Sequence, residues 1–261
     1  MSTLVCFHAH PDDEAITTGG LMAKAAAAGH RVVLVCATRG EQGEPQAGVL
    51  LEGEQLSERR IQELANACEA LGAEPPLLLG YEDSGMMDEP TNQNPNCFWQ
   101  ADIDEASERL AAILDQYNAD VLTIYDDHGG YGHPDHIQVH RVGKKAAALA
   151  GVAHVFEATI NRDAMRTMME NMPIDDDAPR PDDVDSFGTP ADDLSYEVNV
   201  SGYLEAKRAA LIAHRSQIGP DSFFLKMPDD LFALAFGTES FAVPGVTGTG
   251  GPREVHLLPG L

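Results

Sequence analysis

The chain has 261 residues, 43% of them hydrophobic, with 42 acidic against 17 basic side chains and a formal net charge of −25. That acidity excludes the phosphate backbone of nucleic acid and the surface of an anionic membrane as partners, because both require local positive charge. No apolar stretch approaches the length of a bilayer span, and the start lacks a secretory pattern, so cytoplasmic residence is expected. Cys6, Cys36, Cys68 and Cys97 form no CxxC pair and are expected as reduced thiols. The length suits one large α/β domain over residues 1–261.

In chain order, apolar runs at 4–8, 31–38, 76–79, 120–125 and 152–158 read as strands. Between them, helical spacing predicts helices over 14–28, stopped by Gly29, over 55–71 with Ser57 as a cap and Gly72 as the stop, over 103–117, and over 134–149 from Pro134. Residues 173–193, dense in Asp and Pro and without a period, read as a mobile acidic surface loop. A strand at 196–200, a helix at 203–214 and a last strand at 240–243 complete the series. The alternation predicts an α/β, Rossmann-like, mostly parallel sheet with helices on both faces and the active site at the carboxyl ends of the strands.

Two clusters follow strands. His8, His10, Asp12, Asp13 and Glu14 leave the first, and Tyr131, His133, Asp135 and His136 follow the fourth. So many imidazoles and carboxylates in one place repel one another unless a cation organises them. Catalytic zinc takes three ligands from His, Asp or Glu and keeps a position for water. His10 and Asp13, three apart in a tight loop, can face one ion, and His136 is the expected third ligand; on spacing alone His133 or His140 can exchange with it. Asp12 adjoins Asp13 but points away from the ion and is the expected general base toward a metal-bound water. His133, when protonated, would stabilise the developing oxyanion or the leaving amine, with Asp135 setting its tautomer and Tyr131 as a second donor. His8 is expected to be structural, and Glu14 to be an N-terminal helix charge. His30, His128, His154 and His256 read as surface or loop residues.

Other classes fit less well. A nucleotide-binding module wants a glycine-rich phosphate loop after the first strand, where HPDDE would repel phosphate. A phosphoesterase with a two-metal site is the rival among enzymes.

The motifs HAHPDDE at 8–14 and YDDHGGYGHPDH at 125–136 resemble the PIG-L/LmbE-like zinc-dependent N-deacetylases. The likeness continues through TRGEQGE at 38–44, RIQELANACEALG at 60–72, DSGM at 83–86 and AHRSQI at 213–218. The resemblance implies zinc, with iron(II) able to replace it in the cell, held by His10, Asp13 and His136. It implies Asp12 as the base, His133 with Asp135 and Tyr131 at the oxyanion, and hydrolysis of the acyl group, usually acetyl, of an N-acylated amino sugar or glucosaminyl conjugate. The chain is most similar to the mycothiol branch, which holds both an N-acetylglucosaminyl inositol deacetylase and a mycothiol S-conjugate amidase. That likeness implies sugar or inositol contacts from Arg60 and Asp83, with Glu44 and Gln217 as further candidates. It departs from the branch at Asp127 and His128, where the second place usually holds Asn, and in a shorter, more acidic 159–195. A small-molecule partner is implied, and a homo-oligomer is compatible with the reading.

Overall fold

The computed structural model describes residues 1–171, 184–246 and 251–261. In β1 (Thr3–His8) every residue is buried, and successive side chains serve opposite faces. Leu4 and Cys6 enter one core, Val5 and Phe7 the other. β2 (Arg31–Cys36) repeats the pattern, with Val32 and Leu34 on one face and Val33 and Val35 on the other. Strands with two buried faces must be covered on both sides, which forces helices into every crossover.

The sheet has eight strands in the order β3-β2-β1-β4-β5-β7-β6-β8. β3 (Leu77–Leu78), β4 (Val121–Tyr125) and β5 (His154–Thr159) run parallel to β1 and β2. β7 (Thr238–Ala242) is antiparallel to β5 and to β6 (Tyr196–Asn199), while β8 (Arg253–Val255) lies parallel to β6. The register of β1 on β4 pairs Leu4 with Val121 and Cys6 with Thr123, so their carboxyl ends emerge side by side. Strand order turns between these two, and such a switch point opens a crevice outside the sheet.

One helix is expected over 14–28, and two are present. Thr18, at φ −128° and ψ 7°, separates α1 (Asp13–Thr17) from α2 (Gly19–Ala27). The break has tertiary causes. Thr18 Oγ1 lies 2.8 Å from His8 Nε2, and the first N–H groups of α2, on Gly20 and Leu21, donate to the Glu239 carboxylate at 2.8 Å each. α3 (Leu56–Leu71) follows Gln55 rather than Ser57 as its cap and ends at Gly72, whose φ of 70° closes the last turn. α4 (Ile103–Tyr117) is capped by the Asp102 side chain, which accepts from the N–H groups of Asp104 and Glu105. After a distorted turn, α5 (Gly129–Gly132), the chain enters α6 (Pro134–Ala150), which packs on α4 over one face of the sheet.

Besides α5, elements appear where none was expected at α7 (Arg162–Asn171), α9 (Phe223–Lys226), α10 (Asp229–Phe236) and β8. α8 (Leu204–Ala213) lies near its expected place and packs on α3 and α2 over the other face. Of the expected acidic loop, 173–183 lies outside the described residues. The described half is tied down: it holds short 3-10 turns at Val184–Ser186 and Ala191–Asp193, and Gly188 N–H donates to the Gly130 carbonyl at 2.8 Å. Arg162 fixes the same strip through the carbonyls of Phe187 and Gly188, both at 2.7 Å. All four cysteines are buried free thiols. Among the described residues, no helix is long and apolar enough to cross a membrane.

Candidate active site

The adjacent ends of β1 and β4 bring both clusters to one crevice. Asp12 takes a left-handed backbone, φ 111° and ψ −26°, which costs a non-glycine residue roughly 1–3 kcal/mol and persists only where its surroundings hold it. Glu14 Oε2 accepts its N–H at 3.0 Å, and Arg60 Nη2 lies 3.2 Å from its Oδ2. On the β4 side, Gly129 at φ 69° lets the backbone pass close to α6, since a Cβ there would sit 2.6 Å from His136 Cβ.

Asp13 Oδ2 is the centre of the cluster. It accepts the His10 N–H at 2.8 Å and lies 3.4 Å from both His10 Nδ1 and His136 Nε2. Ligand atoms held about 2.0–2.1 Å from one tetrahedral ion are themselves about 3.4 Å apart. His136 Nε2 is buried and has no hydrogen-bond partner among the described residues, an orphan that a metal–ligand bond would satisfy. The ring nitrogens of His10, His133 and His136 also fall within 4.8 Å of one another, as do the donor atoms of His10, Asp83 and Asp135. The gathered donors of His10, His133 and His136 therefore fit a divalent cation, with Asp13 in reach of two of them; the expected set of His10, Asp13 and His136 is not itself gathered within 4.8 Å. His140, exchangeable with His136 on spacing, faces elsewhere: its Nδ1 lies 3.0 Å from the Tyr125 carbonyl and 3.5 Å from Glu157.

His133 caps α6, its Nδ1 accepting the Asp135 backbone N–H at 3.1 Å, which leaves the proton of a neutral ring on Nε2. Burial, joined by the charges of His10 and His136, pushes this imidazole down to about 3, which favours the neutral ring. The expected carboxylate contact from Asp135 is absent from its hydrogen bonds. Its side chain accepts instead from Ser84 N at 2.9 Å and from Ser84 Oγ, and faces His10 Nε2 at 3.1 Å. What Asp135 gives His133 is its backbone.

Charge separates within the cluster. Burial would raise the Asp13 carboxyl, but His136 and His10 hold it well below the usual carboxylate range. Burial would lower His10, but Asp83, Asp13 and Asp135 hold it well above the ordinary imidazole range. Asp12 goes the other way: burial pushes it up to about 6 against the pull of Arg60.

The remaining expected residues are spread around this centre. Asp83 Oδ1 lies 3.4 Å from His10 Nε2, and its Oδ2 accepts the Gln42 N–H. Arg60, 4% exposed, commits its guanidinium to the carbonyls of Gly40 and Pro11 and to Asp12. Gln217 is half-buried against Gly43, and Glu44 is exposed. Tyr131, 39% exposed, sits at the mouth with its ring centroid 5.0 Å from His136 and stacked on Phe187 at 6.0 Å.

His8 supports the cluster from beneath. Its Nδ1 lies 2.7 Å from the Tyr125 hydroxyl, and the Tyr125 ring stacks on His136 at 4.3 Å. Glu14 stands in the first turn of α1, as expected of an N-terminal helix charge, and is fully buried, with Oε1 2.6 Å from His214 Nε2. Sequence reasoning also passed over Ser84 and His214, although both lie in the DSGM and AHRSQI segments.

Residues 5–147 match the model of the PIG-L family, described as GlcNAc-PI de-N-acetylase. The chain is 39% identical, over 99% of its length and 95% of the relative's, to the 1D-myo-inositol 2-acetamido-2-deoxy-alpha-D-glucopyranoside deacetylase of Acidothermus cellulolyticus. It is 41% identical to the protein of the same name in Thermobifida fusca, over 82% of this chain and 83% of that one. The crystal structure of the conserved protein TT1542 from Thermus thermophilus shares the fold at a TM-score of 0.60 and 23% identity, covering 95% of this chain and 97% of its own. A family match over more than half the chain and relatives of this identity over nearly its full length agree with the paired His/Asp clusters: the chain belongs to the PIG-L family.

Proposed function

We propose that the protein is a divalent-metal-dependent N-deacetylase that hydrolyses the acetamido group of an amino sugar. The inositol-linked N-acetylglucosamine of its relatives is the substrate to test first. Zinc is the proposed metal, and iron(II) suits the same donors. The observation that carries the reading is the convergence of His10 and His136 on Asp13 beside the strained Asp12, with His136 Nε2 left unpartnered among the described residues.

When bound, the ion acidifies a water molecule and polarises the amide carbonyl. Asp12 takes a proton from the attacking water on its carboxylate and passes it to the departing nitrogen, so that the C–N bond breaks to give free amine and acetate. Arg60, 3.2 Å from Asp12 Oδ2, holds that carboxylate in place. The Nε2–H of His133 and the hydroxyl of Tyr131 donate to the carbonyl oxygen as its charge grows, with the Asp135 backbone fixing the His133 tautomer. Asp83 accepts from sugar hydroxyls, and Glu44 and Gln217 line the approach, while Arg60, expected as a sugar contact, is buried and committed to Gly40, Pro11 and Asp12. Residues 1–261 act as one catalytic domain, in the cytoplasm.

Elemental analysis run beside an amine-release assay tests this, with inositol-linked N-acetylglucosamine, free N-acetylglucosamine and a cysteinyl-glucosaminyl thiol conjugate as substrates. About one metal ion per chain and release from the inositol-linked sugar are expected. Release from the thiol conjugate alone would make the protein an amidase. Two ions with phosphate-ester cleavage would make it a phosphoesterase, and no metal uptake with no activity would overturn the proposal.

A further inference from the structure

The Glu14–His214 pair takes part in no step of this mechanism, yet it is among the most deeply buried polar contacts of the chain, with both side chains fully shielded from solvent. One oxygen of Glu14 accepts from His214 at 2.6 Å, and the other accepts the N–H of Asp12 at 3.0 Å. Glu14 thus bridges the imidazole to the backbone of the residue proposed as base. That backbone is the strained one, at φ 111°. A conformation of this kind springs back when its restraints are removed.

We infer that His214 is a positioning residue for Asp12, acting through Glu14; the inference rests on the deacetylase reading. His214 Nδ1 is buried and has no hydrogen-bond partner among the described residues, so the ring's one polar bond there is the one to Glu14. The His214 carbonyl accepts from the N–H groups of Gln217 and Ile218, a turn that sets the ring at the end of α8. Ser216 then fastens this turn to α3 through two bonds to Glu63, at 2.9 and 2.6 Å. α3 also carries Arg60, which holds Asp12 from the other side. Without His214, Glu14 Oε1 would be a buried acceptor with no donor, and the carboxylate would turn or draw in water at the expense of its bond to Asp12.

The test uses the metal-loaded enzyme. His214→Leu removes the donor and His214→Gln keeps one; each is measured alone and in an Asp12→Ala background for kcat, KM, metal per chain and Tm. His214→Leu is expected to lower kcat about 10–100-fold with KM and metal content little changed, a loss of the size that misplacing a reacting group causes. His214→Gln should recover much of that loss, and in the Asp12→Ala background His214→Leu should change the residual rate hardly at all. If His214→Leu fails to fold, Glu14→Gln is read the same way, because its single acceptor cannot serve both Asp12 and His214. A lower Tm with unchanged kcat, or an equal loss in the Asp12→Ala background, overturns the inference. Asp12→Ala at the full rate would overturn the base assignment itself. Asp12→Ala inactive beside His214→Leu at full rate would overturn this inference alone.

Discussion

Asp12 sits between two opposed influences. Burial pushes its carboxyl up to about 6, and Arg60 pulls it back toward ionisation. A base tuned in this way is expected to be costly to remove: Asp12→Asn should lower kcat by about 10²–10⁴-fold while keeping the metal, whereas His136→Ala should lose the metal, both read by amine release and elemental analysis. Glu157, buried on β5, gives a prediction about stability. Burial raises its carboxyl to about 7 against Lys144, with Asp126 and Asp127 adding to the rise. The folded state therefore holds a proton that the unfolded chain gives up near the ordinary glutamate value, about 4.3. That contribution to stability is complete below the unfolded value and is lost as pH rises through about 7. Glu157→Gln should accordingly raise Tm by several degrees at pH 8 and little at pH 4.5, by calorimetry at each pH. At this scale the metal-site candidates were legible because HPDD and HPDH each place their donors within a few residues. The Glu14–His214 bond spans 200 positions and the Ser84–Asp135 bond 51, so nothing local announces either.

Helices show where tertiary contacts overrule local pattern. α3, α4 and α6 were readable because caps, stops and apolar spacing lie within each segment. The 14–28 segment looked continuous because Ala, Leu and Met favour helix throughout, and no local signal foretold that β7 would contribute Glu239 as the cap of a second helix. Lys207 completes that junction, its Nζ 2.5 Å from Glu239 Oε1 and 2.9 Å from the Ile16 carbonyl at the end of α1. Both partners are almost fully buried. Lys207→Ala should cost about 3–5 kcal/mol in denaturant titration, because it strands a buried carboxylate. Lys207→Met combined with Glu239→Gln should recover part of that loss. The strand expected at 240–243 is present as β7, but its antiparallel direction and the short β8 were obscured for a related reason: their pairing is set by β5 and β6, not by a pattern of their own.

Over the whole molecule, acidic side chains exceed basic ones by 25. Self-repulsion of that size opposes the compact state and is screened by salt, the Debye length falling from about 20–30 Å near 0.01–0.02 M to about 3 Å at 1 M. Tm is expected to rise by a few degrees between 20 mM and 500 mM NaCl, and a flat or falling curve in a melting experiment would show that the charges are locally compensated. The parallel half of the sheet, and with it the crevice between β1 and β4, was legible from alternating strand and helix alone.

The buried donors that receive Glu14 and steady α1 come from His214 and Lys207, and the carboxylate that starts α2 comes from Glu239. During synthesis, then, the first motif to leave the ribosome is among the last to be finished. Its acidic turn must wait, unpaired, until some two hundred further residues have emerged, and a nascent chain halted after the family-matched portion at residue 147 would carry all of the candidate metal donors without the ground they rest on.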